Sequence, residues 1–488
     1  MPYHLLTGAT GLLGTYLLRD GLAAGRQMAV VVRPSAMESP RQRVESIMAR
    51  WERELGYALP RPPVLVGNIG QPDLGLDRDA LDWIAQHCVS VIHNAASLSF
   101  VADERTGEPY RSNVEGTRHV LELCRKTGIR GFHHVSTAYV CGLRSGRVLE
   151  SELEVGQQPG NDYEKTKVEA EKMVRRADFL DRPTIYRPAI IIGDSATGYS
   201  TTFHGFYTPL KIGQALVDQF QLDTIDGEPL IAALGLTGRE RKNFVPVDWV
   251  SRLITYLHGR PEHHGGTYHL ALPERVPVAV CREVIERALR EYAGKNRGKG
   301  AKNPELAEMQ ETFVEQMGAY RAYWRDDPEF DTTNTARAAP HLVACDVGFA
   351  TLLRTAQFAL EANFGWPRPQ PVRPEFDVEE HLRGVLPIEL GPNGAGGLRV
   401  ALQVNGPGGG QWTLAVNDCG PVSARPGLAD DPDAILYLNS KTFRRCVLGQ
   451  IDLRRAAGLG LLTSETGDMA PERLLAVLSA VARSAGGD

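Results

Sequence analysis

The chain has 488 residues, 42% of them hydrophobic and 23% charged, with a formal net charge of −5. This length exceeds one simple core, so about two to four domains of ordinary soluble composition are expected. Nucleic acid is not an expected partner because no dense Lys/Arg stripe is present, and no apolar run is long enough to span a bilayer.

The opening MPYHLLTGATG runs straight into a strand and a glycine loop, so no signal peptide is expected. Six segments that follow in order read as buried strands: YHLLTG, MAVVVR, PPVLVGN, VSVIHNAA, GFHHVST and PTIYRPAIIIG. Between them lie helical stretches, among them GLLGTYLLRDGLAAG, NVEGTRHVLELCRKTG and YEKTKVEAEKMVRRA. Strand and helix alternate, and the strands are continuously apolar, which predicts an α/β fold with a doubly wound parallel sheet.

From Pro209 the rhythm loosens, and a charged helical region covers Val278 to Trp324. Its insert AGKNRGKGAKNPE reads as a mobile loop, and FATLLRTAQFALEANFGWP as a closing helix. The Pro-rich PRPQPVRPEF (367–376) is the predicted domain boundary. Beyond it, Leu398, Val400, Leu402, Val404 and then Trp412, Leu414, Val416 alternate about a Gly/Pro turn, as a hairpin with one apolar face does. AILYLNS reads as a third strand with Ser440 capping the helix after it. A final amphipathic helix starts at Pro471 and lines up Leu474, Leu475, Leu478 and Val481.

The cysteines (Cys88, Cys124, Cys141, Cys281, Cys345, Cys419 and Cys446) are scattered and form no C-x-x-C pair. His133–His134 and His263–His264 are adjacent pairs, without the i, i+4 spacing of a helical metal site. Neither a disulfide framework nor a metal is expected, and the reading is of a reducing, cytoplasmic chain.

Chemistry concentrates in the first half. TGATGLLG places Gly8, Gly11 and Gly14 between the first strand and the first helix, where backbone N–H groups can approach a pyrophosphate. Around those glycines Thr7, Thr10, Leu12 and Leu13 join the expected cofactor contacts. The second strand ends in Arg33, where an NAD-binding chain would usually carry an acid for the ribose. Arg33 would instead pair with a 2′-phosphate, helped by Arg41 and Arg43, so NADPH is the expected cofactor. Tyr163 and Lys167 stand four residues apart in NDYEKTKVEAEKMV, about 6 Å along one helix face.

HNAA, NVEGT, HVSTAYVCG, the Tyr163/Lys167 pair and YRPAIIIG follow the glycine loop in that order. This series resembles the extended short-chain dehydrogenase/reductases over residues 1–370, with a substrate lobe mainly at 194–365. VSTAYV and NFVPVDWV resemble the branch of thioester reductases and fatty acyl-CoA reductases. The resemblance implies a Rossmann domain in which Asn68, Ile69, Asn94, Ala95, Ala96, Arg187, Pro188 and Ile190 contact the cofactor. Asn68 stands where relatives carry Asp and would meet the adenine as an amide. Lys167 would hold the nicotinamide ribose and lower the pKa of Tyr163, ordinarily about 10. Tyr163 would then protonate the substrate oxygen as hydride reaches the carbonyl carbon. Thr137, with Ser136 as second choice, would polarise that oxygen, and Asn113 would assist. Ser97, Phe203, Phe206 and Tyr207 are the expected substrate contacts.

Residues 377–488 resemble the sterol carrier protein 2 family of small α+β lipid-binding domains, on LRVALQVNGPGGGQWTLAV and AILYLNSKTFRRCVLGQIDLRRA. GLGLLTSETGD departs from that family's pattern by lacking a lysine. The expected function is NADPH-dependent reduction of a hydrophobic acyl thioester, carried by coenzyme A or by an acyl carrier protein from another chain. The alternatives are a ketone or hydroxysteroid oxidoreductase, and a non-catalytic lipid carrier regulated by NADPH. The resemblance also implies a homo-oligomer paired through two helices.

Overall fold

Alternate residues of the first strands face opposite ways, and both ways are apolar. In the computed structural model, strands β1 (Tyr3–Thr7), β2 (Gln27–Val32), β3 (Val64–Val66), β4 (Cys88–His93) and β5 (Gly131–Val135) are followed by β6 (Arg147–Val148), β7 (Thr184–Pro188) and β8 (Ile190–Ile192). Then come β9 (Arg241–Lys242), β10 (Phe244–Pro246), β11 (Thr267–Leu270), β12 (Val276–Pro277) and β13 (Glu329–Phe330). The helices are α1 (Leu12–Ala23), α2 (Pro40–Leu55), α3 (Arg78–His87), α4 (Gly116–Thr127), α5 (Asp162–Arg176), α6 (Tyr207–Phe220), α7 (Glu228–Ala233), α8 (Val247–His258) and α9 (Val278–Lys295). The structure describes residues 2–35, 38–295, 313–315, 317, 324–342, 345–366, 376–386, 398–406, 408–417, 420–429, 432–466, 477 and 479.

Among the described residues the main sheet has seven strands, all parallel, in the order β11-β7-β5-β4-β1-β2-β3. Leu6, Val30, Val32 and Ile92 join the core formed with α1, α2 and α8, while Leu5, Ala29, Val31 and Val91 pack against α3, α4 and α5. Helices therefore cover both faces, which is what continuously apolar parallel strands require. Strand order reverses at β1, so a crevice opens at the carboxyl ends of β1 and β4. α6, α9 and the helix Phe349–Glu361 pack together as a lobe beside that crevice.

The PTIYRPAIIIG segment is two strands rather than one. Pro188 cannot donate a ladder hydrogen bond, and after it β8 leaves the main sheet to pair with β10. Of the AGKNRGKGAKNPE insert, Ala293–Lys295 belong to α9, and the rest lies outside the described residues. So do most of the Pro-rich connector and all but two positions of the final helix.

Beyond the connector, β14 (Leu398–Asn405), β15 (Gly410–Asn417), β16 (Gly420–Pro426), β17 (Ala434–Asn439) and β18 (Leu462–Thr466) form a second sheet in the order β16-β15-β14-β17-β18. β14 and β17 are parallel, and the other neighbours are antiparallel. Val400, Leu402, Val404, Trp412, Leu414 and Val416 share one face and form a core with Phe443, Leu453 and Val378 from helices. The cap of the helix Ser440–Val447 is Asn439, not Ser440: the Asn439 side chain accepts from Thr442 N at 2.7 Å. The other face meets the first domain, where Gln403 Nε2 donates to Pro62 O (2.8 Å) and the Tyr3 and Tyr437 hydroxyls lie 2.9 Å apart. Tyr3 also donates to Glu465.

Under the main sheet, at the end away from the crevice, four histidines gather. His258 lies 4.5 Å, ring to ring, from both His4 and His133, and His133 lies 4.6 Å from His264. Burial, reinforced by Arg26 and by the neighbouring rings, pushes His4 down to about 4 and lowers His133 and His258 further. His4, His133 and His258 are neutral in the fold and take up protons in the unfolded chain near pH 6.5. Depressed histidine pKa values give stability that is present above about 6.5 and lost as pH falls toward 4. Melting temperature measured from pH 7.5 to pH 5 should therefore fall steadily below about 6.5; a flat profile would contradict the neutral cluster.

Candidate active site

The first turn of α1 begins at Gly11, whose side of the helix carries no side-chain cap, so its N–H groups face the crevice. Gly8 turns the chain there with φ of +71°, and a Cβ on it would sit 2.7 Å from Ala95 N. A Cβ on Gly14 would sit 1.9 Å from Gly8 O, so the helix can approach the loop only with glycine at that position. Thr7 ties the ends of β1 and β4 together: its hydroxyl lies 2.9 Å from His93 Nδ1 and accepts from the Asn94 and Ala95 N–H groups, both at 3.2 Å. Helix start, tight turn and open N–H groups make a cradle that fits a dinucleotide pyrophosphate.

A cleft of about 660 Å³ runs from this cradle across the carboxyl ends of the strands. Gly8, Thr10, Gly11, Leu12, Leu13, Arg33, Arg43, Asn68, Ile69, Asn94, Ala95 and Ala96 line one end, and Ser97, Ser136, Thr137, Tyr163, Lys167, Pro188 and Ile190 line the middle. Arg43 donates to Thr10 Oγ1 at 2.7 Å and to the backbone Arg33 O at 3.2 Å, and both arginines line the cleft. Arg41, two positions before Arg43, does not line the cleft; it is desolvated, and among the described residues its Nε has no hydrogen-bond partner. Asn68 lines the cleft, and its Oδ1 accepts from Gly70 N at 3.0 Å.

α5 presents the reactive pair because Asn161 caps it, accepting from Glu164 N at 2.9 Å, and the Phe100 ring lies 6.0 Å from Tyr163. Lys167 Nζ donates to Val135 O at 2.7 Å. Burial pushes Lys167 down to about 8, with Glu171 opposing. Tyr163 runs against the expectation of a lowered pKa: burial raises it, and the hydrogen bond with Thr137 offsets this only in part. A neutral phenol is the form that can donate a proton. Thr137 Oγ1 also accepts from Tyr139 N (3.3 Å) and donates to Pro188 O across 3.5 Å, a contact long enough for a substrate oxygen to replace. Ser136 Oγ instead donates to Glu171 at 2.7 Å.

Several expected site residues act from behind the cleft or lie elsewhere. Thr7 and Gly14 shape the cradle without lining it. Arg187 is fully buried, and its guanidinium forks onto Glu171, so it cannot reach a cofactor. Asn113 holds the Ser97 loop, accepting from Ser97 N (2.8 Å) and donating to Ser97 O (3.1 Å) and Thr166 Oγ1 (3.0 Å). Phe206 and Tyr207 are core, and Phe203 packs between Tyr207 and Phe364. Their neighbours Thr202, His204 and Gly205 border the cleft instead, along with Leu98, Tyr139 and Glu164. Sequence reading missed Glu171, although its spacing of four from Lys167 marks the same helix face.

A phosphate cradle and a hydroxyl, a phenol and an ammonium converge on one cleft, and that combination serves hydride transfer to or from a carbon–oxygen bond. The protein is thus an oxidoreductase with a Rossmann fold and a nicotinamide dinucleotide cofactor. It belongs to the male sterility protein family, whose sequence profile matches residues 6–254.

The aldehyde reductase lnaA of Aspergillus flavus is 26% identical over 68% of this chain and 33% of its own length. The L-2-aminoadipate reductase large subunit of Penicillium chrysogenum is 27% identical over 52% of this chain and 18% of its own. The nonribosomal peptide synthetase asaC of Aspergillus flavus is 25% identical over 54% of this chain and 26% of its own. The chain thus spans a third or less of these relatives. Among solved structures, the terminal R domain from the myxalamid PKS-NRPS biosynthetic pathway matches with TM-score 0.55 and 25% identity over 75% of this chain and 92% of that domain. The R domain of a Mycobacterium tuberculosis nonribosomal peptide synthetase shares the fold at TM-score 0.53 and 20% identity, over 75% of this chain and 92% of that one.

The two adjacent hydroxyls should separate in kinetics. Thr137→Ala is expected to lose about 100-fold or more in turnover, the usual scale of a lost oxyanion donor, and Ser136→Ala less than about 5-fold. Equal losses, measured by nicotinamide absorbance, would contradict this assignment.

Proposed function

We propose that the chain is an NADPH-dependent reductase of a hydrophobic acyl thioester, delivered on a carrier protein from another chain or on coenzyme A. The observation that carries this reading is the convergence of Thr137, Tyr163 and Lys167 with the glycine cradle in a single cleft. The likeness to the myxalamid R domain and to a relative named as an aminoadipate reductase supports a substrate at acid oxidation level, and a relative named as an aldehyde reductase supports carbonyl reduction in general. Arg33 and Arg43, which both line the cleft, support a 2′-phosphate on the cofactor.

A bound nicotinamide supplies hydride. Thr137 and Tyr163 would hold the thioester carbonyl oxygen, and Tyr163 would give it a proton as the carbon receives hydride. The hemithioacetal then collapses: the C–S bond breaks, the hydroxyl proton leaves, and aldehyde and free thiol result. A second hydride and proton would give the alcohol. Lys167 would hold the ribose and supply positive charge beside the phenol.

The second sheet, with helices on one face and an apolar interior, supports a sterol carrier protein 2-like unit that binds lipid. Among the described residues no helix is long and apolar enough to cross a membrane, and a cytoplasmic location fits that reading.

The test is NADPH oxidation against a panel of acyl thioesters and a panel of hydrophobic ketones, including steroids. Aldehyde or alcohol with stoichiometric free thiol is expected; turnover on ketones alone would overturn the thioester reading. Tyr163→Phe should keep cofactor affinity within about 3-fold while turnover falls by about 10²–10⁴; unchanged turnover would remove Tyr163 from the mechanism. Arg33→Glu should weaken NADPH binding at least about 10-fold more than NADH binding. Equal loss would refute phosphate pairing.

A further inference from the structure

The cofactor end of the cleft and the second sheet share one helix. At the cleft, Arg43 of α2 donates to Thr10 Oγ1 in the glycine loop and to the backbone Arg33 O. Each residue of a helix turns the chain by about 100°, so Glu45 leaves α2 about 200° round from Arg43, on the opposite side. There the second domain closes over it, and the Glu45 side chain is only 12% exposed.

Glu45 is held from both domains. Arg61, in the loop before β3, donates Nε to Glu45 Oε2 at 3.1 Å and Nη2 to Oε1 at 3.2 Å. The same guanidinium reaches Glu52, two turns further along that face, with Nη2 at 2.9 Å. From the second domain the Asn439 side chain bonds to Glu45. A carboxylate only accepts, so Asn439 gives an amide N–H. Its Oδ1 accepts from Thr442 N at 2.7 Å and caps the helix Ser440–Val447. Just past β14, Gly406 packs so closely that a Cβ on it would sit 3.1 Å from Glu45 Cγ. Gln403 Nε2 fixes the neighbouring Pro62 O at 2.8 Å.

We propose that Asn439 is a positioning residue for cofactor choice: through Glu45 it holds the cleft end of α2 against the second sheet, so that Arg43 stands ready for a 2′-phosphate. The inference rests on the reading of the cofactor as NADPH.

The far half of α2 is anchored separately, where Trp51 Nε1 donates to Thr15 O of α1 at 3.0 Å. Loosening Glu45 therefore frees the cleft end without unseating the helix. A guanidinium meets phosphate through paired, directional N–H groups, so a small shift of that end costs phosphate recognition first. The glycine cradle and the Tyr163–Lys167 face of α5 do not depend on Glu45, which makes NADH the internal control.

Asn439→Asp separates the helix cap from the junction. Aspartate caps a helix as well as asparagine does, but it would face Glu45 with a second carboxylate. In the full chain, read by the fluorescence of the bound reduced cofactor, NADPH should bind about 10-fold weaker and NADH less than about 2-fold weaker. Asn439→Ser also caps, carries no charge and is too short to reach Glu45; it should move the same ratio by about 3-fold. Adding Glu45→Gln to Asn439→Asp lets donor and acceptor exchange sides, and that double variant should bind NADPH at least about 3-fold tighter than Asn439→Asp alone. A loss shared equally by both cofactors, an unmoved ratio, or no recovery in the double variant would overturn the proposal.

Hydrogen exchange separates this inference from the cofactor reading. Where Asn439 holds α2, amides 43–48 should exchange at least about 5-fold faster in Asn439→Asp with no cofactor present. If the native chain binds NADH as tightly as NADPH, the cofactor reading falls. If it prefers NADPH while the variants change neither the ratio nor the exchange, that reading stands and the role of Asn439 falls.

Discussion

The buried Glu171–Arg187 pair is the constraint on which the rest of the site depends. Taking both charges out of water costs several kcal/mol for each ion, and stranding either one costs about 3–5 kcal/mol. The interior repays this only through complete hydrogen bonding, and here the carboxylate meets two guanidinium groups and a hydroxyl. The pair joins α5 to β7, and through Ser136 it also joins the loop after β5. Those three elements carry Tyr163 and Lys167, the floor of the cleft at Pro188, and Thr137. Their relative placement is therefore fixed from below by an ion pair that no solvent reaches.

Above that anchor, parallel strands set the position of the cleft. Strand order reverses at β1, and the helix α1 begins where β1 ends. Close contact there is enforced by absence of side chain: Gly14 rests against Gly8, and Gly8 rests against Ala95. Thr7 and His93 lock β1 to β4, and His93 passes the contact on to Thr117 at 3.1 Å. The glycine cradle and the Tyr163–Lys167 face of α5 are thus held by separate contacts within one fold.

The second sheet is not a free appendage among the described residues. One face closes on its own helices, and the other meets α2 and the loop that leads into β3, the edge of the main sheet. At this junction Arg61 bridges Glu45 and Glu52 of α2, and Asn439 bonds to Glu45. α2, which carries Arg41 and Arg43 in its first turn, is therefore packed from both sides.

The sequence by itself determined the parallel α/β class, the glycine cradle, the Tyr163–Lys167 pair and the apolar hairpin face at Val400–Val416. Each is a local signal: a run, a spacing or an alternation that physical chemistry reads without knowing what lies opposite. Only the tertiary structure decided that the Ser136 hydroxyl is bonded to Glu171, that Arg187 serves a carboxylate rather than a cofactor, and that Phe206 and Tyr207 are core while His204 borders the site. It also reversed the expected shift of Tyr163, because burial outweighs the favourable neighbours. In each case the deciding group is distant in sequence, so its charge, its hydrogen bond or its exclusion of water exists only once the chain has folded.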